Sequence, residues 1–546
     1  NDIASLLLGT GSGGSSPYNA QLALSQRSWA FYVNDSWRAT RKLTLTYGLR
    51  YEYQAPRTER YNRLTYFDFN TANPLAQATG LPLKGGLVYN NNQMWNPDHK
   101  NFAPRLSLAY RVTEKLVFRA GYGIFFQPTV AVANGNTDGF STNTNWISTQ
   151  GGNGLVPANL LANPFPNGLN QPAGGSAGLL TEVGQSVNAA SLLHPTGYVQ
   201  TYSADFQYQI KPNAVVEVGY TGVQGRKLLL GAANMNINQL DAKYLSMGSA
   251  LNAQVTNPFY GVITDPNSVL SGAKVPQWRL LLPYPQYTNV LLSPDTPGSS
   301  SSFNALTLKY DQRFKAGLNV LLTYQWSKAI DNVSETQVWE IKNYTRDINN
   351  LAAERSISGH DVPQDFRAAI LWELPVGRGK KFGATMSKAV DAVVGGWRLS
   401  SVVRLADGLP LQFTAPNSNG VYGFVVQRPT ITSLNDLGTV SGGTSIDQWF
   451  NTAAATKPAA YTIGSSPRYP GNIRTGALDN TDFLVSKEWR FMERYRLQFR
   501  TEAINFTNTP QYGRANTTVG NGSFGKVTGT YNVGPRTVQL GMRLDF

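Results

Sequence analysis

The chain has no cysteine and only three histidines in 546 residues. Without thiols there is no disulfide framework, no thiol nucleophile and no thiolate metal site, although a cysteine-free chain suits either redox compartment. His99, His194 and His360 lie far apart in polar stretches and read as solvated loop residues. They leave little material for a histidine metal centre or a Ser-His-Asp triad. No apolar run reaches about 18 residues, so no transmembrane helix is expected, and Asn1 to Thr10 lack the basic start of a signal peptide. Charge is scarce at 15%, and the formal excess of +14 comes from Lys and Arg scattered singly, which argues against nucleic-acid binding. No acidic pair has a spacing assignable to glycoside hydrolysis. The expectation is a chain that is not an enzyme, with no catalytic residues, metal or cofactor.

What is abundant points elsewhere. The sequence holds 27 Tyr, 24 Phe and 11 Trp, with many Gly, Asn, Ser and Thr. Such aromatics suit membrane interfaces as well as carbohydrate or nucleic-acid surfaces, and composition does not choose among them. Periodicity does. From Trp29 onward apolar residues alternate with polar ones: Trp29, Phe31, Val33 and Trp37 share one face, broken by Asp35, with Tyr32, Asn34 and Ser36 on the other. After Ala39-Thr40-Arg41 a second strand sets Leu43, Leu45, Tyr47, Leu49, Tyr51 and Tyr53 against Thr44, Thr46, Arg50 and Glu52. The pattern returns on both sides of Thr113-Glu114-Lys115, of Lys211-Pro212-Asn213 (198–210 with 215–222) and of Lys315-Ala316-Gly317 (303–314 with 318–328). Strands near 364–374 and 396–407 flank a longer basic connection containing Gly377-Arg378-Gly379-Lys380-Lys381. Those near 481–491 and 495–507 flank Met492-Glu493-Arg494, and a last strand sets Val538, Leu540, Met542, Leu544 and Phe546 against Gln539, Gly541, Arg543 and Asp545.

Between the hairpins lie long polar stretches, 55–101, 127–197, 225–301, 329–363, 409–480 and 508–535. Short and long connections alternate throughout. An outer-membrane barrel has short periplasmic turns, long extracellular loops and about ten residues per strand, and the sequence predicts that all-β antiparallel transmembrane fold in the outer membrane of a Gram-negative-type bacterium. Residues 1–27 read as a loop leading into the barrel and 28–546 as the barrel itself, with about 13 strands. A sandwich would not sort its turns into short and long, and no repeat of propeller period is present. Gly9, Gly11 and Gly14 fit the GxGxxG spacing, but Ser15-Ser16-Pro17 follows with no helix signal, so a loop is the better reading.

Several segments in series resemble the barrel of Oar-like TonB-dependent receptors: Phe102–Phe126, Asn257–Ile263 (NPFYGVI), Leu308–Asn332, Glu354–Lys380, Gly395-Gly396-Trp397, Arg496–Gly513 and the terminal Phe546. The resemblance implies a 22-stranded barrel with an amino-terminal plug, importing a ligand with energy delivered by TonB. No TonB-contacting box or plug is recognised ahead of Asn1, so the expectation is a carboxy-terminal part of such a barrel, reaching TonB through an amino-terminal part outside this sequence. Its first and last strands should not pair with each other. The partners implied are the lipid bilayer, the TonB complex and an external ligand of unspecified kind; the alternative is an outer-membrane anchor for adhesion or surface assembly without transport.

Site candidates follow from the two faces. Arg50, Glu52, Arg105, Arg119, Lys309, Asp311, Arg313, Arg500, Glu502, Arg543 and Asp545 fall on the lumen face, where they either meet a plug or substrate or pair across strands, with Arg500 and Glu502 facing Arg543 as the clearest ladder. Trp95, Trp146, Tyr260, Trp278, Tyr284 and Tyr287 in the long loops either stack on a flat ligand or knit the loops together. Trp29, Trp37, Trp326 and Phe546 read as membrane-facing anchors.

Overall fold

A computed structural model describes residues 15–546 apart from 90–91, 129–135, 147–158, 231–234, 266–267, 294–295, 315–316, 334–344, 418–421, 424–426, 492–493 and 531–533. Gly9, Gly11 and Gly14 lie outside the described residues, as do Lys315, Ala316, Met492 and Glu493 of two turns. One antiparallel sheet dominates. Its main strands are β1 (Ser28–Trp37), β2 (Leu43–Gln54), β3 (Phe102–Arg111), β4 (Leu116–Phe126), β5 (Tyr198–Lys211), β6 (Ala214–Leu229), β7 (Pro297–Arg313), β8 (Leu318–Asp331), β9 (Gln364–Glu373), β10 (Trp397–Ala406), β11 (Leu478–Phe491), β12 (Tyr495–Ile504) and β13 (Thr537–Asp545), with the short Ser356–Ile357 added beside the end of β8. Each pairs with its sequence neighbours, from β1 at one end to β13 at the other, and among the described residues these two do not pair with each other.

The register carries one face across the whole sheet. Because side chains alternate with period two, a slip of one residue would turn a strand inside out. Phe31 lies opposite Tyr51, Tyr51 opposite Phe102, Leu106 opposite Tyr122 and Tyr122 opposite Tyr202. Farther along, Leu306 faces Trp326, Trp372 faces Leu399, Leu399 faces Val485, and Phe499 faces Met542. The greasy faces of the separate hairpins thus join into one apolar surface. On β13 that surface is bare: Val538 is 59%, Leu540 69%, Met542 71% and Phe546 83% exposed. A surface of this kind belongs against hydrocarbon, and the fold is a transmembrane β-barrel sheet of the outer-membrane type. Asp35, the break in the β1 apolar face, accepts a hydrogen bond from the Tyr47 hydroxyl at 2.9 Å from the opposite position on β2.

Several boundaries differ from the sequence reading, those of β6 and β7 most. β6 has 16 residues and β7 17, well beyond the nine to eleven or so that cross a bilayer, so both run into the stretch read as the loop 225–301. Alternation there is masked by Gly, Ser and Gln on both faces. Residues ahead of β1 are also more than a leader loop: Ser15–Tyr18 pairs with Thr142–Asn145, and Leu24–Ser25 with Thr58–Glu59.

The long stretches fold. Among the described residues, the large clusters of buried apolar residues lie in them and not in the sheet. One joins Leu411, Phe413, Leu437, Phe450 and Ile473 to Ala515 and Val519; another joins Phe67 and Leu87 to Val187, Tyr284, Tyr287 and Val290. The parallel pairing of Ser186–Ala189 with Asn289–Leu292 ties two of the loops, and Gln286 Nε2 donates to the Lys84 carbonyl at 2.8 Å in a third.

Candidate functional site: the inner wall and the loop bodies

The face opposite the apolar one is wet and charged, and its ions are arranged by strand geometry. Residues two apart on a strand share a face, so an acid and a base at that spacing meet directly. Arg50 Nε is 2.5 Å from Glu52 Oε1, Arg500 Nε 3.3 Å from Glu502 Oε1, and Arg543 Nε 2.7 Å from Asp545 Oδ1. Cross-strand pairs complete the pattern: Arg119 reaches Asp205 on β5 at 3.6 Å and donates to Gln207 Oε1 at 2.8 Å, and Arg496 reaches Asp545 at 2.9 Å. The expected ladder from Arg500 and Glu502 to Arg543 is not formed. The register sets Arg500 opposite Gly541, Glu502 opposite Gln539, and Arg543 opposite Gln498, so Arg543 turns to Asp545 on its own strand.

The sequence reading missed the most enclosed inner-wall cluster. Asp365 on β9, with a side chain 7% exposed, accepts from Arg367 at 2.7 Å and from Arg404 on β10 at 2.9 Å. The period-two placement of Asp365 and Arg367 against Phe366, Ala368 and Ile370 was the available signal. Arg105, Lys309, Asp311 and Arg313 make no ion pair among the described residues. Lys309 stands opposite Glu217 and Thr323, Asp311 opposite Val215 and Leu321, and Arg313 opposite Asn319 at the turn end of β7.

Arg105 lies over the Phe125 ring, 4.7 Å from its centroid, at the rim of a groove of about 760 Å³ on this wall. Gly48, Ser107, Gly121 and Gly123 line it together with Tyr32, Arg50 and Phe125. The Phe125 ring covers Gly123, where a Cβ would come within 3.0 Å of it.

In the loops, three of the six aromatic candidates are packed inward. Tyr287 is fully buried, Tyr284 makes an edge contact with Phe67 at 5.1 Å, and the buried Trp95 stacks on His194 at 4.8 Å. His194, read as solvated, is therefore buried beneath an indole. His99 stacks on Tyr53 at 4.7 Å. Trp278 stacks on Tyr422 at 4.3 Å, Trp146 Nε1 donates to the Asn159 carbonyl at 2.9 Å, and Tyr260 is 63% exposed. Of the membrane-face anchors, Trp29 is 45%, Trp37 55% and Trp326 61% exposed on the apolar surface, and Phe546 completes that surface at the end of β13.

Buried ions lock the loops to one another. The fully buried Arg428 pairs with Glu354, and Arg468 pairs with Asp331 at the end of β8 while its Nε donates to the Glu354 carbonyl at 3.1 Å. Arg474 pairs with Asp361 at 2.6 Å. Thus the described residues of 329–363 and 409–480 are tied together. A second unit contains Asp138 and Glu182. Burial, reinforced by the Asp138 charge, pushes the Glu182 carboxyl up to about 7 against the pull of the Gly139 N–H that donates to it at 2.6 Å, and burial raises Asp138 as well. No group of three or more His, Cys, Asp or Glu able to hold a metal occurs among the described residues.

Among solved structures, the chain is similar to the ferripyoverdine receptor of the outer membrane of Pseudomonas aeruginosa (10% identity, TM-score 0.41, 96% of this chain and 40% of that one). It is also similar to the outer membrane transporter YddB from Escherichia coli (8% identity, TM-score 0.43, 96% of this chain and 55% of that one). A third is the receptor BauA from Acinetobacter baumannii (10% identity, TM-score 0.37, 96% of this chain and 43% of that one). The chain thus spans about half the length of these proteins or less. No curated protein matches it. The profile of the outer membrane beta barrel domain matches residues 1–539, nearly the whole sequence. With an apolar outer face, a charged inner face and folded loops beyond one rim, this chain belongs to the outer membrane beta barrel domain family.

Proposed function

We propose that the protein is a TonB-dependent outer-membrane receptor of the Oar-like kind, which captures an external ligand with its folded loops and passes it along the inner wall. In this reading it is a binding and transport protein rather than an enzyme, needs no cofactor, and receives energy from TonB through an amino-terminal plug. The observation that carries it is the inner wall. A barrel that serves only as an anchor can fill its interior with interlocking side chains. Here a groove in the wall is lined by Gly48, Ser107, Gly121 and Gly123 beside Arg105, and Lys309, Asp311 and Arg313 have no ionic partner among the described residues. Ions in a confined lumen need water, a plug or a passing ligand. The folded loops support recognition by a preformed surface.

The test uses cells carrying or lacking the full-length gene, each with TonB energised or de-energised, and measures depletion of a panel of iron chelates, oligosaccharides and peptides from the medium. Uptake of one class that needs both the gene and an energised TonB is expected. Depletion that needs the gene but ignores TonB, accompanied by loss of cell–cell or matrix attachment on deletion, would establish the anchoring alternative.

A further inference from the structure

Five of the six hairpin turns on the short-turn rim run two to five residues, but the connection from β9 to β10, residues 374–396, has 23 and contains α1 (Lys388–Val394). Ser387 caps α1 through a 3.3 Å hydrogen bond from the Val390 N–H. The end of α1 is held in an unusual way. The last carbonyls of a helix lack partners within it. Here Trp489 Nε1 donates to the Ala392 carbonyl at 2.7 Å and Trp397 Nε1 to Val393 at 2.9 Å, while Lys487 Nζ adds a 3.4 Å bond to the Asp391 carbonyl, which also accepts from the Gly395 N–H at 2.9 Å. A cation at a helix carboxy terminus is also favoured by the helix dipole. The Lys487 ammonium sits 5.3 Å from the centroids of both indoles.

These three side chains fix where α1 lies. Trp397 is directly opposite Lys487, and Lys487 and Trp489 continue the face of Phe483 and Val485. That is the apolar, lipid-facing side. α1 is therefore strapped to the outside of the barrel at the periplasmic rim, and does not lie across the lumen. The Gly-Gly-Trp start of β10 serves this fit: a Cβ on Gly395 would come 2.2 Å from Asp391 Oδ1, and Gly396 has φ +73°.

What the connection presents outward is apolar and basic. Val390 is 47%, Val393 70%, Val394 46% and Phe382 55% exposed. Arg378, Lys380, Lys381 and Lys388 are all exposed, and the one acidic residue, Asp391, is engaged by the Arg378 N–H at 2.7 Å. An amphipathic element of this composition lies in a membrane interface with its apolar side chains among acyl chains and its cations at the phosphates. We propose that residues 374–396 form a foot embedded in the periplasmic leaflet, where Arg378, Lys380, Lys381 and Lys388 bind the head groups of anionic phospholipid. Continuity with the lipid-facing surface and charge complementarity select that occupant, and the proposal is independent of what the loops bind.

The test is native mass spectrometry of the full-length protein released from detergent containing equal phosphatidylglycerol and phosphatidylcholine. Expected are preferential retention of phosphatidylglycerol, its loss at raised salt, and a decrease of about tenfold or more when Arg378, Lys380, Lys381 and Lys388 are all changed to Gln. Heat-modifiable mobility on gels reports barrel folding in each variant, and the salt dependence of the unaltered protein stands without any variant. Equal retention of both lipids, retention indifferent to salt and to the four substitutions, or capture of a periplasmic protein by the same residues with no lipid retained would overturn the proposal.

Discussion

The sheet and the loop bodies of this chain obey opposite rules. In the sheet most large apolar side chains point outward and are exposed, as Leu540, Met542 and Trp326 are, while charges line the inside, several of them paired at moderate exposure. In the loops the arrangement is that of a water-soluble domain: Phe413, Phe450 and Tyr287 are fully buried, and even the buried ions Arg428, Glu354 and Arg468 are paired within. The hydrophobic effect acts on both, but its solvent differs. Hydrocarbon accepts the outer face of the sheet, so the sheet needs no core of its own; the loops face water and must build one.

The comparison can be broken most severely in the loops. Glu354→Ala leaves Arg428 without its carboxylate in a site shut off from water, and the expected cost is about 3–5 kcal/mol. It should fall on the loop body alone: limited proteolysis should cut within 329–363 and 409–480 while the heat-modifiable gel shift of the barrel persists. Unchanged protease resistance would mean that the ion pair does not hold the loops.

The next effect belongs to the sheet. Leu322→Arg, mid-strand on the lipid face of β8, should impair folding into lipid vesicles by about 2–4 kcal/mol. Thr323→Arg on the inner face should be tolerated better. Equal folding yields would undo the assignment of faces.

A pH dependence sharpens the contrast. Glu182 has its carboxyl raised to about 7 from 4.5 in the folded loops, so the folded state holds this proton more tightly than the unfolded chain. Its stabilising contribution is fully present below about pH 4.5 and is lost as the pH rises through about 7. Denaturation of the loop signal should therefore need less urea at pH 8 than at pH 5, and Glu182→Gln should flatten that difference. An unaltered pH slope in the variant would assign the dependence to other groups.

The smallest effect is expected on the inner wall. Arg500 is half exposed, and Glu502→Gln should cost less than about 1 kcal/mol, because an ion pair open to water gains little. A loss as large as that of Glu354→Ala would erase the distinction between wet-wall and buried pairs.

The sequence by itself determined the membrane strands, their faces and their order. Alternation at Leu43 to Tyr53 or Val538 to Phe546 is a local property with period two, and short turns leave a neighbouring strand no choice but to pair antiparallel. The inner face of residues such as Arg50 and Glu52 was legible for the same reason, but their pairing along one strand was not. Pairing partners across strands were not: the register sets Arg543 two residues away from the position facing Arg500, and it pairs with its own Asp545. The ends of β6 and β7 escaped because Gly, Ser and Gln carry no polarity contrast. The loops were least legible of all. Their cores are assembled from residues such as Leu411 and Val519, or Phe67 and Tyr287, that are far apart in the chain and follow no period. Only tertiary structure could decide that Trp95 covers His194, that Arg428 finds Glu354, and that Lys487, a lone charge on a greasy strand, closes the end of a helix at the membrane edge. Such contacts depend on loops returning to one another in three dimensions, and no local pattern of residues encodes that return.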